Sequence, residues 1–194
     1  MILSSEKFPV ILKSIDYNDA INMSVTGSDK DIAKNTAEYG KFPYPYKVSD
    51  AINFIAYSLN MQKIKMEFNF AMYEKDTEKF LGLFGIFNID YFNKKAEIGY
   101  WLGKKYWGEG LGSIGIRMLL NYSFNNLNLN KIYAKSFVFN LRSIHLMESL
   151  KFVKEAELRD EVKIGGRYKN LVIYSILKKE YYLKMKKYQL KNKV

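Results

Sequence analysis

Apolar residues recur along this chain with two different periods, and the switches between them mark the elements. Val10 to Ile15 (VILKSI) fits a first strand. Asp16 suits the cap of a short helix running through Val25, and Ser28 or Asp29 that of a second helix from Lys30 to Glu38. Lys41-Phe42-Pro43-Tyr44-Pro45-Tyr46 sets two prolines among aromatics, which forbids helix and predicts a stiff extended loop. Ser49 or Asp50 caps the next helix, where Ile52, Ile55, Ala56 and Leu59 fall on one face. Met66 to Tyr73, Phe80 to Ile89 and Ala96 to Leu102 read as three strands. Polar turns at Glu74 to Lys79 and Asn93-Lys94-Lys95 join them into an antiparallel meander.

The period then lengthens again. Leu111, Ile114, Met118 and Tyr122 repeat at helical spacing, predicting a helix from Leu111 to about Asn126. Gly115 inside it costs about 1 kcal/mol against Ala, a cost that close packing on a sheet would explain. Lys131 to Val138 is the next strand. Asn140 to Leu150 is a short helix with Ile144, Met147 and Leu150 inward. A strand from Phe152 turns at Gly165-Gly166 into the last, Tyr168 to Leu177. A βα start, a meander, one βαβ crossover and a closing hairpin make an α/β (mixed α+β) fold. It is a mostly antiparallel twisted sheet of about seven strands with helices on both faces.

Between the third meander strand and the long helix lies Trp107-Gly108-Glu109-Gly110-Leu111-Gly112-Ser113. Alternate glycines leave backbone N–H groups with little side-chain cover, and a helix start adds its unpaired N–H groups and the positive end of its dipole. Strand, Gly-rich turn and helix in that order form a natural phosphate or pyrophosphate site. The glycines by themselves would also serve a plain tight turn.

Composition narrows the chemistry. At 194 residues the chain makes one domain, 1–178, with a basic tail at 179–194. With no cysteine there is no disulfide framework, thiolate zinc site or cysteine nucleophile, and the lone His145 cannot build a His-rich metal site. His145 sits one position off the inward stripe of its helix and reads as a surface or cofactor-rim residue. Neither a signal peptide nor a run of about 20 apolar residues stands out, so a cytoplasmic protein off the membrane is the expectation. The net charge of +11 admits nucleic acid, a membrane surface or a small anion as partner, or compositional drift. Much of the excess lies beyond Leu177, where seven lysines face Glu180. That tail reads as a solvated end, or as a short helix docked on the body through Tyr181, Tyr182 and Tyr188 or touching ribosomal RNA.

Together these residues resemble the GNAT superfamily of acetyl-CoA-dependent N-acetyltransferases, and within it the branch that acetylates N-termini of bacterial ribosomal proteins. The resemblance runs from about Val10 to Leu177. It rests on Glu97-Ile98-Gly99-Tyr100-Trp101-Leu102 with Trp107 to Gly112, on Asn140 and Ser143 followed by Glu148-Ser149-Leu150-Lys151-Phe152, and on the Phe42 to Tyr46 loop. Each motif is weak alone; their order and spacing together are specific.

The resemblance implies acetyl-CoA as cofactor, no metal, and a sheet splayed in the middle. Trp107, Gly108, Glu109, Gly110, Leu111, Gly112 and Ser113 would hold the pyrophosphate. The strand backbone of Tyr100, Trp101 and Leu102 would pair with the pantetheine arm. Asn140 would hold the pantetheine side and Ser143 would sit beside the sulfur. Phe42, Tyr44 and Tyr46, with Glu97, would face the acceptor amine. Glu97 is the candidate base, against the alternative of a surface carboxylate paired with Lys94 or Lys95. Relatives often carry a tyrosine one turn beyond Ser143 that protonates the leaving thiolate; Met147 stands there, leaving Ser143 or water for that step. The family's Gly before Phe152 is Lys151, and Trp107 replaces an Arg or Gln.

The expected reaction is acetyl transfer to a primary amine by direct attack in a ternary complex, the amine being a protein N-terminus of the ribosomal type. The rivals are a small-amine acetyltransferase acting on a polyamine, amino sugar or antibiotic, and a non-catalytic acyl-CoA-binding or RNA-associated protein. Like charges make a basic protein an odd host for a polycation. Monomer and homodimer are both compatible with the sequence.

Overall fold

The computed structural model describes residues 1–4, 8–36 and 42–183. A mixed sheet has the order β1-β2-β3-β4-β5-β6-β8-β7. Its strands are β1 (Ile2–Ser4), β2 (Val10–Ser14), β3 (Phe68–Glu74), β4 (Phe80–Asp90), β5 (Lys95–Leu102), β6 (Lys131–Phe137), β7 (Val153–Ile164) and β8 (Arg167–Leu177). The helices are α1 (Ala20–Gly27), α2 (Lys30–Thr36), α3 (Val48–Lys63), α4 (Leu111–Asn125) and α5 (Leu141–Ser149). The expected count of about seven strands is exceeded by β1, an edge strand of three residues that pairs antiparallel with β2. So short a strand carries no periodicity to read.

Side-chain alternation on the strands separates two cores. On one face Phe84, Ile86, Ala96, Ile98 and Leu102 pack with Ile116, Leu119 and Leu120 of α4. On the other, Ala71, Phe80 and Leu83 pack with Met23 of α1 and Ala51 and Ile55 of α3. The inward face of α3 therefore differs from the expected one: Ala51, Ile55 and Ser58 are buried, whereas Ile52 is exposed. Ser58 is inward because its hydroxyl accepts from the amide of buried Asn69 at 2.9 Å, a polar contact that a hydrophobic pattern does not reveal.

Capping follows the sequence at the first two helices and departs from it at the third. Asp16 accepts from Asn18 N–H, and Asp19 reaches back to Asp16 N–H, around a 3-10 turn at Tyr17–Asp19 that leads into α1. Asp29 accepts from Asp31 and Ile32 N–H at the start of α2. Helix α3 begins at Val48, ahead of both expected caps, and Asp50 accepts from Lys47 N–H from within the first turn.

Close helix-to-sheet packing explains Gly115. A Cβ there would lie 2.2 Å from the Phe84 ring. After β8, residues 178–183 are helical; Tyr181 is buried with its ring 5.3 Å from that of Phe124. The rest of the expected lysine-rich tail, with Tyr188, lies outside the described residues, as do Glu38 and Lys41.

The sheet is splayed at its centre. β5 runs parallel to β6 and pairs with it only from Lys95 to Glu97, against Lys131 to Tyr133. Beyond Glu97, β5 stays with β4 through Leu102 while β6 stays with β8 through Phe137. A V-shaped gap opens there, and the glycine loop and α5 close over it.

Candidate active site

A cavity of about 920 Å³ fills the splay and runs from the glycine loop to the aromatic loop between α2 and α3. That volume matches a sizeable organic ligand.

At the loop end, Gly108 and Gly110 take φ of +88° and +78°, and a Cβ on either would meet nothing within 4 Å. Space does not demand glycine here; the left-handed backbone does. Gly110 is the N-cap of α4 and offers no side chain to cap it, and the first helical bond is Ile114 N–H to Gly110 C=O at 3.2 Å. Leu111, Gly112 and Ser113 N–H therefore have no partner within the helix, and all three residues line the cavity. Trp107 anchors the loop: its indole N–H donates to Leu102 C=O at 2.9 Å. Glu109 is exposed and does not line the cavity, unlike the rest of the expected loop set.

Along the gap, Tyr100, Trp101 and Leu102 line one side and Lys135, Ser136, Asn140 and Ser143 the other. Asn140 caps α5, its side-chain oxygen accepting from Ser143 N–H at 3.2 Å. The Tyr100 ring stacks on Phe84 at 5.4 Å with its hydroxyl beside Ser143. Burial pushes the Tyr100 phenol up to about 12. Met147 is buried in the core and reaches no cavity wall. His145 is exposed.

At the far end, Phe42 stacks on Tyr46 at 4.7 Å and meets Trp101 edge-on at 6.0 Å. Both Phe42 and Tyr46 line the cavity. Burial, then the nearby Asp50 carboxylate, pushes Tyr46 up to about 12. Tyr44 turns away: it is half exposed, its ring under the Lys30 ammonium at 5.9 Å, and it does not line the cavity. Alternation in an irregular, proline-held loop does not set side-chain direction, so the sequence could not separate Tyr44 from Tyr46.

Glu97 is 1% exposed and sits just behind this wall. Its partners are neither Lys94 nor Lys95. Asn88 donates to its Oε2 at 3.0 Å, and Lys135 Nζ lies 3.6 Å from the same oxygen. Both partners line the cavity. Asn88 arrives through a bulge in β4 with φ of +52°, a conformation asparagine tolerates better than most residues. Neither partner was singled out from sequence. Lys135 stands between Ala134 and Ser136 in a strand that also begins with Lys131, and neither it nor the bulge at Asn88 carried a signal in the sequence.

Among the described residues no group of three or more His, Asp or Glu is placed to hold a metal ion, and no helix is long and apolar enough to cross a membrane.

A strand-splayed sheet with a Gly-rich helix start at the gap has close counterparts. Residues 10–153 match the acetyltransferase (GNAT) domain family. The chain belongs to this family. It is 44% identical over 112 residues to the uncharacterized N-acetyltransferase p20 of Bacillus licheniformis, covering 58% of this chain and 63% of that one. It is 37% identical over 100 residues to the putative ribosomal N-acetyltransferase YdaF of Bacillus subtilis, covering 52% and 55%. The matched stretch thus spans less than two thirds of either relative. Among solved structures, the spermidine N-acetyltransferase of Vibrio cholerae in complex with CoA and spermine superposes with a TM-score of 0.77 at 26% identity, over 90% of this chain and 98% of that one.

Proposed function

We propose that this GNAT protein transfers the acetyl group of acetyl-CoA to a primary amine by direct attack in a ternary complex, and that the amine is the α-amine of a protein N-terminus. The glycine-loop N–H groups fit a pyrophosphate; a bond from each to a charged oxygen is worth about 1.5–3 kcal/mol. The edge of β5 from Ile98 to Trp101, which no strand pairs, suits an amide-bearing arm laid alongside it as an added strand. Acetyl-CoA supplies an activated thioester carbonyl at the end of that arm.

The chain's own residues then manage protons. A neutral amine attacks, it sheds a proton, and the sulfur leaves as thiolate. Glu97 is the acceptor of the amine proton, through a water, since the carboxylate lies behind the cavity wall rather than on it. Asn88 and Lys135 both engage Oε2 and fix the carboxyl orientation. Ser143 stands on the opposite side, on the first turn of α5.

The observation that carries the acceptor class is the state of the acids at the aromatic end. Asp50 accepts from Lys47 N–H at 2.8 Å, Glu67 from the Tyr57 hydroxyl at 2.7 Å, and Glu97 is paired with Lys135. Asp50 and Glu67 keep their charge under these neutral donors, but a polycation would have to compete with the Lys135 ammonium at Glu97. On the same walls the Asn53 amide, and the side-chain carbonyls of Asn35, Asn69 and Asn88, whose NH2 groups already donate to Asp31, Ser58 and Glu97, suit a peptide backbone. Amine acidity points the same way. An α-amine titrates at about 7.7–8.0 and lysine at about 10.4, so freeing a lysine amine costs about 3 kcal/mol more near neutral pH.

The spermidine acetyltransferase likeness favours a second reading, a polyamine acceptor. Thiol release with acetyl-CoA and a panel of peptides starting Ser, Ala or Met, spermidine and aminoglycosides separates the two. Turnover on peptides alone supports the first reading, and turnover on spermidine alone overturns it.

A further inference from the structure

The glycine loop lacks the cation that a pyrophosphate calls for. Trp107 to Ser113 contains one acid, Glu109, and no base. The lysines on the turn before it do not line the cavity: Lys104 is paired with Asp31 at 2.5 Å, and the Lys105 ammonium lies 5.1 Å from the centre of the Tyr106 ring.

Arg142 fills that lack from a different element. It is the second residue of α5, and its guanidinium carbon lies 4.3 Å from the centre of the Trp107 ring. It lines the same cavity as Gly108, Gly110, Gly112 and Ser113. Trp107 is itself held by Leu102 C=O, so the guanidinium over its ring rests on a fixed platform. A guanidinium carries five N–H donors, more than one ring contact engages. Among the described residues no carboxylate pairs with it; Asp31 feels its charge only weakly, after Lys104 and Lys34. A planar fork of N–H donors with no acid partner, beside a row of helix-start N–H groups, is built for an oxyanion with two acceptor atoms.

We propose that Arg142 binds the pyrophosphate of CoA, completing from α5 the anion site that the glycine loop begins. This rests on the acetyl-CoA reading above. It gives α5 two tasks: Asn140 and Ser143 face the gap, and Arg142 clamps the phosphates across Trp107. Docking of the cofactor then ties α5 to the loop.

The test is calorimetry of CoA and dephospho-CoA, which lacks the 3′-phosphate, binding to the whole protein, Arg142→Met and Arg142→Lys. Methionine keeps an apolar contact with Trp107 and removes the charge. The expected result is at least a tenfold weaker Kd for both ligands with Arg142→Met, an unchanged melting temperature without ligand, partial recovery with Arg142→Lys, and a smaller difference at high salt. A loss for CoA with none for dephospho-CoA would move the contact to the 3′-phosphate and overturn the proposal. Unchanged affinity for both would overturn it as well. Failure of the unmutated protein to bind CoA would instead bring down the cofactor reading itself.

Discussion

Replacing Gly115 by Ala sets two effects of opposite sign against each other. In an exposed helix interior the change stabilises by about 1 kcal/mol, because Ala loses less backbone freedom. In α4 the new methyl would meet Phe84 at 2.2, 2.4 and 2.7 Å from three ring atoms, all inside van der Waals contact. Phe84 is fully buried, and its ring stacks on Tyr100 at 5.4 Å. It cannot rotate aside without disturbing the wall of the cavity. Overpacking of this kind costs about 1–3 kcal/mol, and a ring locked on both sides belongs at the upper end. The expected net loss is about 1–2 kcal/mol. For an m-value of about 2 kcal/mol per molar urea, the unfolding midpoint falls by about 0.5–1 M with unchanged slope. Combining it with Phe84→Leu, which vacates the space, should cost less than the sum of the two single changes by about 1 kcal/mol. A Gly115→Ala protein more stable than the original would refute the packing argument, since propensity alone would then be deciding.

Gly110→Asp sets a carboxylate at the phosphate end and should weaken acetyl-CoA binding at least tenfold by calorimetry, with the far-UV spectrum retained. Glu97→Gln removes the proton acceptor and keeps the shape; kcat should fall about 10²–10⁴-fold while KM for acetyl-CoA stays put, as read by thiol release. Tyr46 and Tyr100 both titrate near 12 when folded, against about 10 when exposed. Below pH 10 both states hold these protons. Between about pH 10 and 12 the unfolded chain loses them first, so folding stability should decline across that window in urea titrations. A profile flat to pH 12 would contradict the burial of both phenols.

Much of this architecture was legible because hydrophobic period and turn chemistry agree along most of the chain. The meander, the long helix and the closing hairpin each have a clean pattern with turn residues between them: Asp76 and Thr77, Asn93, Asn128, and Gly165-Gly166. Short or polar features escaped. β1 is too short to show a period, and α3 turns Ser58, off the expected apolar stripe, inward for a hydrogen bond to Asn69. At the site, the loop glycines and Asn140 were visible because backbone geometry restricts the residue type there. The surroundings of Glu97 were not. Asn88 reaches it by a bulge and Lys135 from a strand joined late in the sequence, and only the splay brings them to one place. Arg142 escaped for the same reason, since its meaning comes from Trp107, which stands 35 positions earlier in the chain.

The central claim is acetyl transfer to an N-terminal α-amine. The most direct measurement is fragmentation mass spectrometry of a peptide that starts with Ser or Ala and carries an internal lysine, after incubation with the protein and acetyl-CoA, with spermidine competing at equal concentration. The account predicts one acetyl group, on the α-amine, with the lysine and the spermidine unmodified. Acetyl-spermidine beside an untouched peptide would contradict it.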